Sequence, residues 1–415
     1  MKRILGLFLL AIGASVAMLG GGTAQAATCT VPGTHATIQF AVSDFACATI
    51  NVAPGTYFES VTINRSLTLN GAQVGVDGRT RSGAESVIDG SGNANVTIMA
   101  DNVTIDGFTL LGPANQGTAA VVMMGGNVRE MIRNNIIENP GRAASFNTSN
   151  TTFSKNAVHA TSTAGDGFQE NSSPASNVSI LDNSFDGATG NYNADVTILG
   201  VGSSGIVVAG NSSIGDSTLV ALFHTNGAQI TGNTMTGATG SAIFIGGDDS
   251  NITVSGNHIT GGAYSAVRIS GFFFPSLPSS AITITGNVLA NNGYGVNVGS
   301  FAIAATETVL VHQNNITGNT GFGVNNDSTG AVAGTCNWWG AANGPGPVGP
   351  GSGDRVSINV TFSPWLTSPA PSPCSGAVVT SKEQCKKGGW QTLFRADGTG
   401  FKNQGDCVSY TNNGK

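Results

Sequence analysis

Several side chains with chemical reach lie between positions 224 and 274. Arg268 stands between Val267 and Ile269, so a strand there turns it away from an apolar core. Phe244 stands in the same way between Ile243 and Ile245, and Asp248-Asp249 follow at once. His224 ends the apolar run before that, and GFFFPSLPSS (271–280) places Phe272, Phe273 and Phe274 just beyond Arg268. A cation, an aromatic ring and proton-carrying groups are the components of an acidic-sugar subsite. Arg268 would hold a uronate carboxylate or deprotonate next to it, Phe244 would stack on a sugar ring, and His224 or Asp249 would move a proton. The plainer reading of Arg268 is a solvent-facing, hydrogen-bonded side chain.

Such a cluster forms only if the chain returns to the same place at short intervals, and the composition suits that. The 415 residues include 60 glycines and only 10% charged residues. Helix formers are scarce, whereas Val, Ile and Thr recur in short alternating runs. The runs also resemble one another: ILDNSF (180–185), ITGNTM (230–235), VSGNHI (254–259), ITGNVL (284–289) and VHQNNI (311–316), with RNNII (133–137), SKNAV (154–158) and VAGNSSI (208–214) in the same register. The aligned asparagines are Asn135, Asn156, Asn183, Asn211, Asn233, Asn257, Asn287 and Asn315, spaced 21, 27, 28, 22, 24, 30 and 28 residues apart. Irregular spacing suits stacked coils whose turns absorb insertions. An asparagine at a coil corner tolerates left-handed φ and can bond to the coils above and below, so these residues hold the fold together.

A second alternating run follows most of them, as in SAIFIG (241–246), SAVRIS (265–270) and YGVNVG (294–299). The I-x-I-x-G-N units resemble the right-handed parallel β-helix of the pectin-lyase-like superfamily. So does the opening THATIQFAVSDFACATINVAPGTYFESVTINRSLTLNGA (34–72), where the resemblance implies a capping helix from Ile38 to Phe45. The resemblance covers roughly residues 28–367 and implies a fold, not one activity, because that superfamily holds lyases, hydrolases, epimerases and non-enzymatic surface proteins. In members that act on polysaccharide the groove runs along one parallel sheet. Assigned to the second run of each coil, that sheet presents an outward row of Ser145, Gln169, Thr197, Ala221, Phe244, Arg268 and Asn297. Gln169, Thr197 and Asn297 then join Phe244, Asp248 and the three phenylalanines as expected substrate contacts.

The enzyme signatures of the superfamily are missing. Asp248 and Asp249 lack acidic partners on neighbouring coils, because Thr197 and Asn297 occupy that face; a pectate-lyase-type site needs several carboxylates for calcium. GGDDS (246–250) is similar to one acidic element of polygalacturonases, whose other motifs are absent, as is the Asp-Pro-His-Asp element of alginate epimerases. Two readings stay open: a binder of extracellular polysaccharide or cell-wall glycan, and a polysaccharide lyase or epimerase acting on a uronate polymer. The first carries no evident cofactor; the second would bring calcium.

Residues 1–26 read as a signal peptide, with Lys2 and Arg3, the apolar run Ile4–Leu19 and the ending Ala24-Gln25-Ala26. Loss of Lys2 and Arg3 takes the formal charge from −6 to −8, which argues against nucleic acid as a partner. No transmembrane segment is expected in the mature chain. Secretion to the extracellular space, free or associated with the cell surface, and a monomeric state are the corresponding expectations. Six cysteines in an exported chain suggest disulfides; sequence neighbours give Cys29–Cys47, Cys336–Cys374 and Cys385–Cys407 among 15 connectivities. No Cys/His spacing fits zinc.

The chain divides into the signal peptide, an all-β parallel β-helix with its caps (27–363), a Pro/Ser-rich linker (364–380) and a small basic disulfide hairpin tail (381–415). The tail, with CKKGGW and FKNQGDCVS, resembles a C-terminal motif of exported bacterial proteins. The stretch CNWWGAANGPGP (336–347) has two faces: a sugar platform, or, with FSPWL (362–366), a plug over the last coil. Its place after the coils and before the linker favours the plug.

Overall fold

The computed structural model describes residues 27–413 apart from 114–117, 139, 161–165, 172, 188–193, 272–276, 375–376, 380, 387, 392 and 396–399. Short parallel strands stack into three long sheets of 14, 13 and 11 strands, and each turn of chain contributes a strand to each sheet in succession. The result is a right-handed parallel β-helix. Its core is built from strand positions two apart. Val196, Val220, Ile243, Val267 and Val296 form one inward column, and Ile198, Leu222, Ile245, Ile269 and Val298 the next, all shut off from solvent.

One buried column is polar. The side chains of Asn135, Asn156, Asn183, Asn211, Asn233, Asn257, Asn287, Asn314 and Asn337 form an unbroken amide ladder, each Nδ2 donating to the Oδ1 of the next. Each Oδ1 also accepts the backbone N–H of the preceding asparagine, so the corner leaves these donors satisfied. The eighth member is Asn314 rather than the expected Asn315. Asn315 sits one residue further on, outside the corner, and bonds instead to the backbone of Ala370. Asn337, within CNWWG, is the ladder's final rung.

The ends are closed by different means. Helix α1 (Ile38–Ser43) is shorter than expected; Thr37 caps it by accepting from the Phe40 N–H, and Ile38, Ala41 and Val42 face the first coil. At the far end Trp339 is fully enclosed in the main core, and Trp338 packs with Cys336, Leu366 and Cys374. Trp365 lies against the core and donates to the Ala342 carbonyl. Disulfides join Cys29–Cys47, Cys336–Cys374 and Cys385–Cys407.

The tail is not the hairpin expected from its two cysteines. It contains a 3-10 turn (Gly389–Gln391), a short parallel pairing of Ala377–Val378 with Leu393–Phe394, and helix α2 (Gln404–Asn413). Its disulfide ties a turn at Cys385, before the 3-10 turn, to α2, and Val379, Leu393 and Phe401 complete a small core of its own. No described helix is long and apolar enough to cross a membrane.

Candidate functional site

Strand register sets the site. In the 13-stranded sheet, Ser145 pairs with Gln169, Gln169 with Thr197, Thr197 with Ala221, Ala221 with Phe244, Phe244 with Arg268 and Arg268 with Asn297. These outward residues therefore form one row along the solenoid. Alternation puts their immediate neighbours along each strand in the core.

An open groove of about 640 Å³ lies over part of this row. Thr197, Ala221, Phe244 and Arg268 form its floor; Phe223 and Tyr264 are among its walls. The Phe223 and Phe244 rings tilt together with centroids 5.7 Å apart. Phe223 fits because residue 246 is glycine: a Cβ there would stand 2.3 Å from the Phe223 ring. Tyr264, 59% exposed, offers a ring to solvent.

Arg268 is the single charged side chain among the groove's described lining. Its guanidinium carbon lies 5.8 Å from the centre of the Phe244 ring. Among the described residues it has no hydrogen bond or ion pair, and its Nε is buried without a partner. A guanidinium on an aromatic face keeps its in-plane donors free, ready for the two oxygens of a carboxylate. Ser217, Thr218, Thr239 and Ser241 add hydroxyls around it. The arrangement can hold an acidic sugar by one bidentate ion pair, one stacking face and several short polar contacts.

The other expected residues lie at different depths. Thr197, Phe244 and Arg268 share the groove. Gln169 and Asn297 extend the row by one coil on either side, and Asn297 accepts from the Asn325 amide at 3.2 Å. His224 and Asp248 meet at the following corner, one coil apart, with Nδ1 3.3 Å from Oδ2. Both have left-handed φ and neither lines the groove. Phe272, Phe273 and Phe274 lie outside the described residues.

Asp249 is buried inside the corner. Its Oδ1 accepts the Thr225 N–H at 2.9 Å and its Oδ2 accepts the Gly247 N–H at 3.1 Å. Burial pushes this carboxyl up to about 6. The left-handed Asp248 turns the chain so that Asp248 faces outward and Asp249 inward. Asp249 thus anchors the corner and does not face the groove.

The donor set does not fit calcium. Asp248 and Asp249 diverge, and Asp249's oxygens are engaged by backbone. The one cluster of three His, Cys or carboxylate groups among the described residues is Cys29, His35 and Cys47, which offers calcium no oxygen and whose two sulfurs are joined in a disulfide. Tyr264 and Phe223 are the aromatic groove residues that strand alternation alone does not point to. The signal for both was aromatic residues flanking strands of the row, in GGAYSAVRIS and LVALFHT.

Comparison with known proteins adds the fold. Residues 189–337 match the model of the right-handed β-helix region. The S. pneumoniae surface adhesin PfbA is similar in structure, with TM-score 0.50 and 14% identity over 71% of this chain and 84% of that one. An alginate lyase from Paenibacillus sp. str. FPU-7 scores 0.42 at 12% identity, covering 80% of this chain and 98% of the lyase. The Dettilon tailspike scores 0.45 at 13% identity, covering 74% and 68%. At these identities the likeness is one of fold. No curated protein sequence matches the chain.

Proposed function

We propose that this is an exported protein that binds an acidic extracellular polysaccharide or cell-surface glycan along the face of the 13-stranded sheet, with Arg268 as its anchor. The observation that carries the reading is Arg268 itself, held over Phe244 in an open groove with no described ion-pair or hydrogen-bond partner. A cation in a merely structural role is ordinarily paired. The binding reading is favoured over catalysis by the lining, which offers hydroxyls and rings but no acid or histidine among its described residues.

The His224–Asp248 pair supports the second reading, a uronate lyase or epimerase, because His224 directly follows Phe223 of the groove wall. Export accords with the N-terminal segment and the three disulfides.

The test is calorimetric titration with polygalacturonate, alginate and a neutral glucan, alongside ultraviolet detection of unsaturated products. Acidic polymers should bind and the neutral one should not. Arg268→Ala should weaken binding by about 10- to 100-fold, the worth of a hydrogen-bonded charge pair. Equal affinity of wild type and Arg268→Ala would overturn the reading. Product formation abolished by His224→Ala would replace it with the lyase.

A further inference from the structure

The aromatic wall continues past the groove. Tyr264 is followed one coil on by Tyr294, whose backbone N–H donates to the Tyr264 carbonyl at 3.1 Å. Phe322 takes the paired position in the next coil, and its ring stacks on Tyr294 with centroids 6.3 Å apart and planes 13° from parallel. Glycines leave room for this column: a Cβ on Gly321 would stand 3.1 Å from the Tyr294 ring.

Above Phe322 comes Arg355, in the strand Gly353–Val356 that adds the next rung of the same sheet. Its guanidinium carbon lies 4.7 Å from the centre of the Phe322 ring. Arg355 is exposed and, among the described residues, has no hydrogen bond or ion pair. By contrast Arg65, Arg79, Arg81, Arg129, Arg133 and Arg395 each bond to a carbonyl, an amide or a carboxylate. The Arg268–Phe244 unit, an unpaired guanidinium over a ring, therefore recurs on the same sheet. Three rungs separate the two arginines, about 14 Å along the axis at the spacing of neighbouring strands, and Arg355 lies two positions to one side of the Arg268 column.

We propose that Arg355 and Phe322 form a second acid-binding subsite, so that the protein holds a linear polyanion laid along the solenoid axis. Arg268 takes one acidic group and Arg355 another about 14 Å further along the axis. Tyr264, Tyr294 and Phe322 give the intervening sugars a hydrophobic track. The inference rests on the reading of Arg268 as a glycan contact. It adds a direction, a minimum length and a requirement for acid groups in at least two sugars.

Size-defined oligogalacturonates and oligomannuronates, from disaccharide to octasaccharide, test it by titration. In the wild type, affinity should rise once the oligomer spans both arginines. Arg268→Ala should weaken every length. Arg355→Ala should leave the disaccharide unchanged and weaken the octasaccharide about tenfold, the share of one exposed charge-assisted contact. Arg355→Lys should recover part of that loss, and the melting temperature of each variant checks the fold.

If Arg268→Ala weakens binding while Arg355→Ala does so at no length, the second subsite is refuted and the glycan reading stands. Equal loss at all lengths in Arg355→Ala also refutes it, because the two arginines would then serve one sugar. If the wild type binds none of these oligomers, both readings fail together.

Discussion

Replacing Asn233 by alanine removes one rung from the middle of the amide ladder. The side chain makes four contacts. Its Nδ2 donates to the Val208 carbonyl and to Asn257 Oδ1, both at 2.9 Å. Its Oδ1 accepts the Asn211 backbone N–H at 2.9 Å and the Asn211 Nδ2 at 3.0 Å. Asn257 Oδ1 keeps the backbone N–H of residue 233 as a donor, so the acceptors suffer less. The Asn211 Nδ2 keeps the carbonyls of Ile180 and Ala209, so the uncompensated loss is the Asn211 backbone N–H, in a corner closed to solvent. At about 1–3 kcal/mol for a buried group left unsatisfied, that is the expected cost. Because each coil contacts only its neighbours, the loss weakens the stack at that rung. Urea denaturation followed by far-ultraviolet circular dichroism reads the change as a lower midpoint. The control is Asn226→Ala, an exposed amide bonded to Ser250 and Asn251, which should cost under about 1 kcal/mol. If Asn233→Ala and Asn226→Ala unfold at the same urea concentration, the ladder does not stabilise the fold as argued.

Two further outcomes follow from burial. Trp339→Ala should cost about 3–5 kcal/mol by emptying the end of the core, while glycan affinity at an unchanged fold stays that of the wild type. A loss of binding without a loss of melting temperature would restore the platform role for CNWWG. The second outcome concerns pH. Asp249 has its folded value raised from 3.8 to about 6, so the folded state holds this proton more tightly than the unfolded chain. Its contribution is therefore fully present below about 4 and is lost as pH rises to about 6, up to roughly 3 kcal/mol. The stability of wild type minus that of Asp249→Asn should grow as pH falls from 7 to 4. The subtraction removes Glu130, Glu170 and Asp354, whose carboxyls burial also raises. A difference that is flat or shrinks over that range contradicts the assignment.

The row from Ser145 to Asn297 was legible in the sequence because it depends only on period-two alternation and on a repeated corner asparagine. Both are local signals, and stacking multiplies them coil after coil. Asn314 and Asn315 show where such signals stop. Two adjacent amides satisfy the same pattern equally, and only the path of the corner decides which enters the ladder. Asp248 and Asp249 repeat the lesson at the site. A single left-handed residue sends one carboxylate outward to His224 and the other inward to the Thr225 and Gly247 backbone. The tail differs for a related reason: a cysteine pair at that separation closes a loop without specifying a hairpin or a helix within it.

The sequence by itself therefore determined the solenoid, the residues that face one another across its rungs, and the presence of a cation and a ring in adjacent coils. Tertiary structure alone decided that Arg268 lies without a described partner in a groove walled by Phe223 and Tyr264. It also decided that Asp249 is spent on the corner and that Arg355 repeats the guanidinium-on-ring unit three rungs away. The physical reason is separation along the chain. Alternation and repeat spacing are fixed by residues within a few positions, whereas the pairing of a charge depends on what distant coils bring to within hydrogen-bonding range.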